Sequence, residues 1–169
     1  VIHDATPADA GAFCDIYNPF IVDSIVSFEL EPVTEHEMAA RLQRIQAEYP
    51  WLTMEDAQGV VGYAYASRWR TRAAYDATAE TTIYMRPDAR GSGRALTLYH
   101  ALFERMRAQG LRQAIGGISL PNPQSVRFHE KCGFAKVAHF PCVGFKLNRW
   151  VDVGFWQRSL CTSEGPDGP

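Results

Sequence analysis

Cysteine is scarce in this chain and badly placed for cross-linking. Cys14, Cys132, Cys142 and Cys161 stand far apart, with no C-x-x-C pair and no His at metal-ligand spacing. That excludes a zinc knuckle and a disulfide framework, and it predicts reduced, mostly structural thiols of a cytoplasmic protein with no metal. Basic excess is also missing: 17 Lys and Arg stand against 19 Asp and Glu, for a net charge of −2. A general nucleic-acid binder carries a strong positive balance, so no nucleic-acid partner is expected. No apolar run approaches a bilayer's thickness, and Val1-Ile2-His3-Asp4 lacks the regions of a signal peptide, so no membrane association is expected. Internal repeats and linkers are absent from the body of the chain.

What remains is an ordinary globular composition, 46% hydrophobic over 169 residues, enough for one well-buried domain. Residues 1–160 are read as that domain. Residues 161–169, ending Glu164-Gly165-Pro166-Asp167-Gly168-Pro169, read as a disordered tail.

Strand and helix signals alternate, which predicts a layered α/β architecture. Thr6-Pro7-Ala8-Asp9 offers an N-cap and a Pro at the first helical position, for a helix to about Asn18, ahead of Pro19. Residues 25–30 are short and rich in β-formers. Thr34-Glu35-His36-Glu37 has capping-box spacing, and Met38, Leu42 and Ile45 continue a helical stripe. Residues 52–55 and 60–66 read as a hairpin around Asp56-Ala57-Gln58-Gly59. A strand over 81–85 leads to a helix carrying Leu98, Leu102, Phe103 and Met106 on one face, which Gly110 is placed to end. A strand over 114–118 with two glycines follows, then a short helix over about 124–131. Strands over 135–140 and 151–159 close the chain.

Between the strand at 81–85 and its helix lies Arg90-Gly91-Ser92-Gly93-Arg94-Ala95. Small residues let a ligand approach the main chain, and the first N–H groups of a helix lack intrahelical acceptors. The dipole and two arginines add positive charge, a combination suited to phosphate. A Walker loop would need Lys after Gly93, and a dinucleotide fingerprint a third Gly near Leu96; neither is present. Taken from its residues alone, the segment is either a phosphate cradle or a plain turn with solvated arginines.

The pattern Arg-x-x-Gly-x-Ala after a strand resembles the pyrophosphate loop of the GCN5-related N-acetyltransferases. Further segments resemble the phosphinothricin N-acetyltransferase subfamily in order and spacing. They include Glu29-Leu30-Glu31-Pro32, Tyr49-Pro50-Trp51-Leu52, Trp69-Arg70-Thr71-Arg72-Ala73-Ala74-Tyr75, and Ala79-Glu80-Thr81-Thr82-Ile83-Tyr84. Asn122 to Phe134, Val143-Gly144-Phe145-Lys146 and Trp150 to Gln157 complete the set. The resemblance implies a mixed, mostly antiparallel sheet splayed between two central parallel strands, with helices on both faces. It implies acetyl-CoA as cosubstrate, a small amino acid such as phosphinothricin, methionine sulfoximine or methionine sulfone as acceptor, and a homodimer.

It also implies roles. Glu80 would be the catalytic base, and His129, where much of the superfamily has Tyr, its acid or relay partner. Ile83, Tyr84, Met85, Arg90, Gly91, Ser92, Gly93, Arg94, Ala95 and Leu96 would hold the cofactor, with Asn122, Ser125, Phe128 and Lys131. The Met85 N–H would face the oxyanion. Phe28, Arg70, Arg72, Tyr75 and Thr82 would shape the acceptor pocket, Arg forks suiting carboxylate and phosphinate alike. Against these stand plainer readings: a surface Glu at a strand edge, a packed His, a solvated basic loop. Other amines, a peptide N-terminus, or coenzyme A binding without turnover are the competing functions.

Overall fold

The computed structural model describes residues 1–89 and 91–161. Arg90 and most of the expected disordered tail therefore lie outside the described residues. Among the described residues, seven strands form one sheet in the order β1-β2-β3-β4-β5-β7-β6. These are β1 (Ile2–Asp4), β2 (Trp51–Asp56), β3 (Gly59–Arg68), β4 (Thr78–Met85), β5 (Gln113–Leu120), β6 (Ala135–Lys146) and β7 (Arg149–Ser159). Every neighbouring pair is antiparallel except β4 and β5, which run parallel at the centre. The helices α1 (Ala10–Asp23), α2 (Glu35–Gln46), α3 (Arg94–Ala108) and α4 (Pro123–Lys131) cover the sheet. This is the mixed, splayed α/β arrangement that the resemblance implied.

Strand alternation sends successive side chains to opposite faces, so the sheet divides two cores. On one face the helical stripe of Leu98, Leu102, Phe103 and Met106 is fully buried against Ala79, Met85, Ala114 and Ile118. On the other, Phe13 and Tyr17 of α1 and Met38 and Leu42 of α2 pack on Trp51 and Tyr63. There Trp51 stacks on Tyr65 with centroids 4.0 Å apart. Thr34 caps α2 by accepting from Glu37 N–H at 3.2 Å, while the Glu37 carboxylate turns to Arg41, four residues on. The helix α3 ends where its spacing predicts, at Gly110 with φ +83°.

Three expectations need correction. The first helix does not stop before Pro19: after a 3-10 turn at Pro7–Asp9, α1 runs to Asp23 with Pro19 inside it. Proline removes one backbone hydrogen bond, but Ile21 in the next turn is buried in the core, and that packing carries the helix on. Residues 25–30 form no strand despite their β-formers. Side chains hold them instead, since Tyr17 OH meets Ser27 Oγ at 2.7 Å and Lys146 Nζ donates to Ser27 O at 2.5 Å. β6 continues past 140 to Lys146 through an irregular stretch where Cys142 has φ +51°, and Leu147-Asn148 then turn into β7 with φ +50° and +56°. Two positive-φ residues make the hairpin turn whose twist suits paired strands.

Candidate active site

The central parallel pair is short. β4 and β5 are in register only at Thr78–Gln113, Ala79–Ala114 and Glu80–Ile115, after which both continue without each other. At the divergence Thr81 Oγ1 donates to Ile115 O at 3.2 Å and meets Tyr99 OH at 2.6 Å. Backbone polar groups alternate along a strand. Arg86 N–H donates to Val61 O on β3, so the N–H groups of Ile83 and Met85 turn the other way, into the gap. Likewise Leu160 N–H donates to Arg112 O, which leaves the main-chain groups of Gly117 and Ser119 facing the gap from β5. The result is a cleft of about 290 Å³ whose two walls offer unpaired main-chain groups.

Glu80 stands at the closed end of the cleft, half-buried, on the α1 side of the sheet with Thr82 and Tyr84. A Cβ on Gly117 would lie 3.3 Å from Glu80 Oε1, so the carboxylate rests against bare backbone of β5. No hydrogen bond or ion pair holds it among the described residues; burial pushes its pKa up, and the charge of Arg70 opposes the shift.

His129 approaches the same strand from the other face. It is 6% exposed, and a Cβ on Gly116 would meet its ring at 2.9 Å. Nδ1 donates to Ser125 O at 2.9 Å, which leaves Nε2 as the unprotonated nitrogen, 3.4 Å from Tyr99 OH. Burial lowers its pKa, with the Ser125 carbonyl opposing. Nδ1 is thus engaged, Nε2 is only in contact with the Tyr99 oxygen, and no hydrogen bond joins His129 to Glu80. Gly116 and Gly117 stand between them, one under each side chain. Linked proton movement would have to go through the cleft or through Tyr99 and Thr81.

At the cleft's open end the chain turns through Gly91 and Gly93, with φ +76° and +79°. Ser92 Oγ donates to Ala89 O at 2.7 Å, fixing the turn. The first α3 bond runs from Thr97 N–H to Gly93 O, so the N–H groups of Arg94, Ala95 and Leu96 have no intrahelical acceptor. Gly91 and Ala95 line the cleft with Asn122, Ser125 and Phe128. Asn122 owes its place to capping α4, its Oδ1 accepting from Ser125 N–H at 3.1 Å. The helix terminus and the main-chain groups of the splay form one continuous groove, which fits a diphosphate followed by an amide-bearing arm.

Some expected ligands stand elsewhere. The Arg94 guanidinium is 2.7 Å from Asp56 Oδ2, so its charge is compensated locally instead of supplementing the helix end. With Ser92, Gly93 and Leu96 it lines a second hollow beside the β2–β3 turn. Lys131 is exposed at the end of α4 and does not line the cleft. Among the acceptor residues only Thr82 lies in it. Arg70 stacks on Trp69 at 4.4 Å, and Trp69 sets its edge on Phe155, the ring beside Gly117. Arg72 and Tyr75 are exposed around the 3-10 turn at Ala73–Tyr75. Phe28, 41% exposed, lies on Gly144 of β6, outside the cleft lining.

Sequence reading missed Phe20, Val26, Gly117 and Ser119, which also line the cleft, and Tyr99 beneath the splay. The paired glycines inside a strand were the available signal, since such a residue marks close approach. Nothing in the sequence singled out Ser119.

Among the described residues no helix is long and apolar enough to cross a membrane, and no group of three His, Cys, Asp or Glu could hold a metal ion. The profile of the Acetyltransferase (GNAT) family matches residues 15–134. A phosphinothricin N-acetyltransferase of Streptomyces viridochromogenes is 44% identical over 159 residues, spanning 94% of this chain and 87% of the relative. An L-methionine sulfoximine/L-methionine sulfone acetyltransferase of Pseudomonas aeruginosa is 36% identical over 161 residues, 94% of each chain. The crystal structure of a phosphinothricin acetyltransferase from Sinorhizobium meliloti in complex with AcCoA superposes with a TM-score of 0.89. It is 37% identical and covers 94% of this chain and 87% of its own.

Proposed function

Since the chain belongs to the GNAT family of acetyltransferases, we propose that it moves the acetyl group of acetyl-CoA onto the amino group of phosphinothricin-like amino acids, methionine sulfoximine and methionine sulfone included. The single observation that carries this reading is the splay. It sets unpaired main-chain donors of Ile83 and Met85 opposite Gly117 and Ser119, with a half-buried carboxylate at its closed end. Bound there, acetyl-CoA supplies an acyl group activated as a thioester. The residues 1–160 act as one catalytic unit.

The chain's own groups meet three needs. An ammonium must lose a proton before its nitrogen can form the new C–N bond, and Glu80 takes it. Its raised pKa keeps it basic enough for that near neutrality. Negative charge then grows on the carbonyl oxygen, where the Met85 N–H donates a fixed hydrogen bond; one such donor is commonly worth about 3–4 kcal/mol. The C–S bond breaks and sulfur takes a proton. The nitrogen gives up its second proton as the C–S bond breaks, which balances the one the sulfur takes; His129, unprotonated at Nε2 and lining the cleft, is placed to relay that proton and not to supply one of its own. Positioning makes the largest contribution, up to roughly 7–11 kcal/mol, through the cleft that aligns amine and thioester.

The amides from Gly91 to Leu96 receive the diphosphate, while Asn122, Ser125 and Phe128 flank the arm. Arg70, stacked on Trp69 and felt electrostatically by Glu80, receives the acceptor's distal acid, with Thr82 in the cleft beneath it. The protein works as a cytoplasmic homodimer. Support for the dimer comes from apolar side chains exposed along the β6–β7 hairpin, among them Val137, Phe140, Val143, Phe145 and Trp150, the last 64% exposed. A monomer seldom leaves so many together. Thiol release from acetyl-CoA across a panel of amino acids tests the reading: phosphinothricin and the methionine analogues should be turned over well above glutamate and methionine. Equal or absent turnover contradicts it.

A further inference from the structure

One polar atom in the cleft has no use in the mechanism above. Ser119 is 7% exposed, lines the cleft, and its Oγ has no hydrogen-bond partner among the described residues. A buried hydroxyl without a partner costs stability, so its retention in a cleft wall points to a ligand that satisfies it. Its place narrows the ligand. Side chains alternate along β5, and Gly116 meets His129 while Gly117 meets Glu80. Ser119 therefore faces the Glu80 side, where the acceptor lies. It is also four residues beyond Ile115, as Tyr84 is four beyond Glu80, and those two residues are paired. The hydroxyl thus stands across the gap from Tyr84 and Met85, at the height where the new bond forms.

We propose that Ser119 is a specificity-determining residue whose Oγ–H donates to the α-carboxylate of the acceptor. In an α-amino acid that carboxylate shares its carbon with the attacking nitrogen, so it must lie at the same height. Glu80 repels it, leaving a neutral donor as the suitable neighbour. This rests on the amino-acid acceptor proposed above, and the experiment separates the two.

Steady-state kinetics compare wild type with Ser119→Ala, using phosphinothricin as acceptor and its decarboxylated analogue, the aminopropyl phosphinate, as competitive inhibitor. Losing one hydrogen bond to a charged group should raise the KM for phosphinothricin about tenfold. The KM for acetyl-CoA and the inhibition constant of the analogue should stay unchanged. The variant should also melt no lower than wild type, because the hydroxyl has no partner without ligand. Equal KM values for phosphinothricin, or an inhibition constant that rises in step with KM, overturn the assignment. So does a rise confined to acetyl-CoA. A wild type that acetylates no amino acid removes the parent reading along with it, whereas an active wild type with an indifferent variant removes only this one.

Discussion

Gly116→Ala tests the claim that bare backbone of β5 seats His129. The new Cβ would lie 2.9 Å from His129 Cδ2 and 3.0 Å from Nε2, against an ordinary contact of at least 3.4 Å, so the ring must retreat by about 0.5 Å. It has little room to do so. Nδ1 is tied to Ser125 O at 2.9 Å, and the rings of Phe128 and Phe134 flank it with centroids at 5.6 and 5.3 Å. Overpacking of this kind costs about 1–3 kcal/mol, and alanine returns about 0.4–1 kcal/mol by restricting the unfolded chain. A net loss of roughly 1–2 kcal/mol should lower Tm by about 2–8 °C at this chain length. The 3.4 Å contact from Nε2 to Tyr99 should open, lowering kcat while the acceptor's KM, set on the opposite face, holds. Thermal unfolding in a double-mutant cycle is the decisive assay. In a His129→Ala background the overlap is gone, so Gly116→Ala should become neutral or slightly stabilising. An equal loss of Tm in both backgrounds would refute the packing argument.

Glu80→Gln should lower kcat by about 10²–10⁴-fold and abolish the rise of kcat/KM with pH; a preserved acidic limb would exclude Glu80 as the base. Its folded pKa lies above the unfolded one, so its contribution to stability is full below the ordinary Glu range and is lost as pH rises through the folded value. Glu80→Gln should therefore melt higher than wild type near neutrality, with the gap closing in acid, as calorimetry at both pH values would show. Gly93→Val places a branched residue at φ +79° and should raise the KM for acetyl-CoA with little change in the acceptor's, read by initial rates at fixed acceptor. Arg70→Ala should raise the KM for phosphinothricin but leave coenzyme A affinity intact, whereas weakened coenzyme A binding by calorimetry would place Arg70 in the wrong subsite. With its charge gone, Glu80 should titrate higher still, shifting the acidic limb of kcat/KM upward.

How much of this was legible in sequence depends on what each residue signals alone. Helices with caps and stripes were readable, since Thr34, Gly110 and the Leu98–Met106 face act locally. Pro19 misled because its local penalty is outweighed by Ile21's burial, a long-range fact. Residues 25–30 have strand composition but no strand to pair with; Lys146, over a hundred residues away, holds them. Motif spacing pointed to Glu80, His129 and the glycine turn, yet not to the faces they occupy. That Glu80 and His129 press on opposite sides of Gly116-Gly117 follows from the sheet's register, which no linear pattern encodes. Arg94 carried the right charge in the right motif, and Asp56, brought near by the β2–β3 hairpin, neutralised it. Ser119 is one serine among several until the strands part around it.

The most direct trial of the account is a crystal structure with acetyl-CoA and phosphinothricin bound together. The account predicts the thioester carbonyl within hydrogen-bonding distance of Met85 N–H, the diphosphate on the amides of residues 91–96, and the acceptor amine on the Glu80 side of β5. An acyl chain lying outside the β4–β5 gap, or an amine entering from the His129 side, would contradict it.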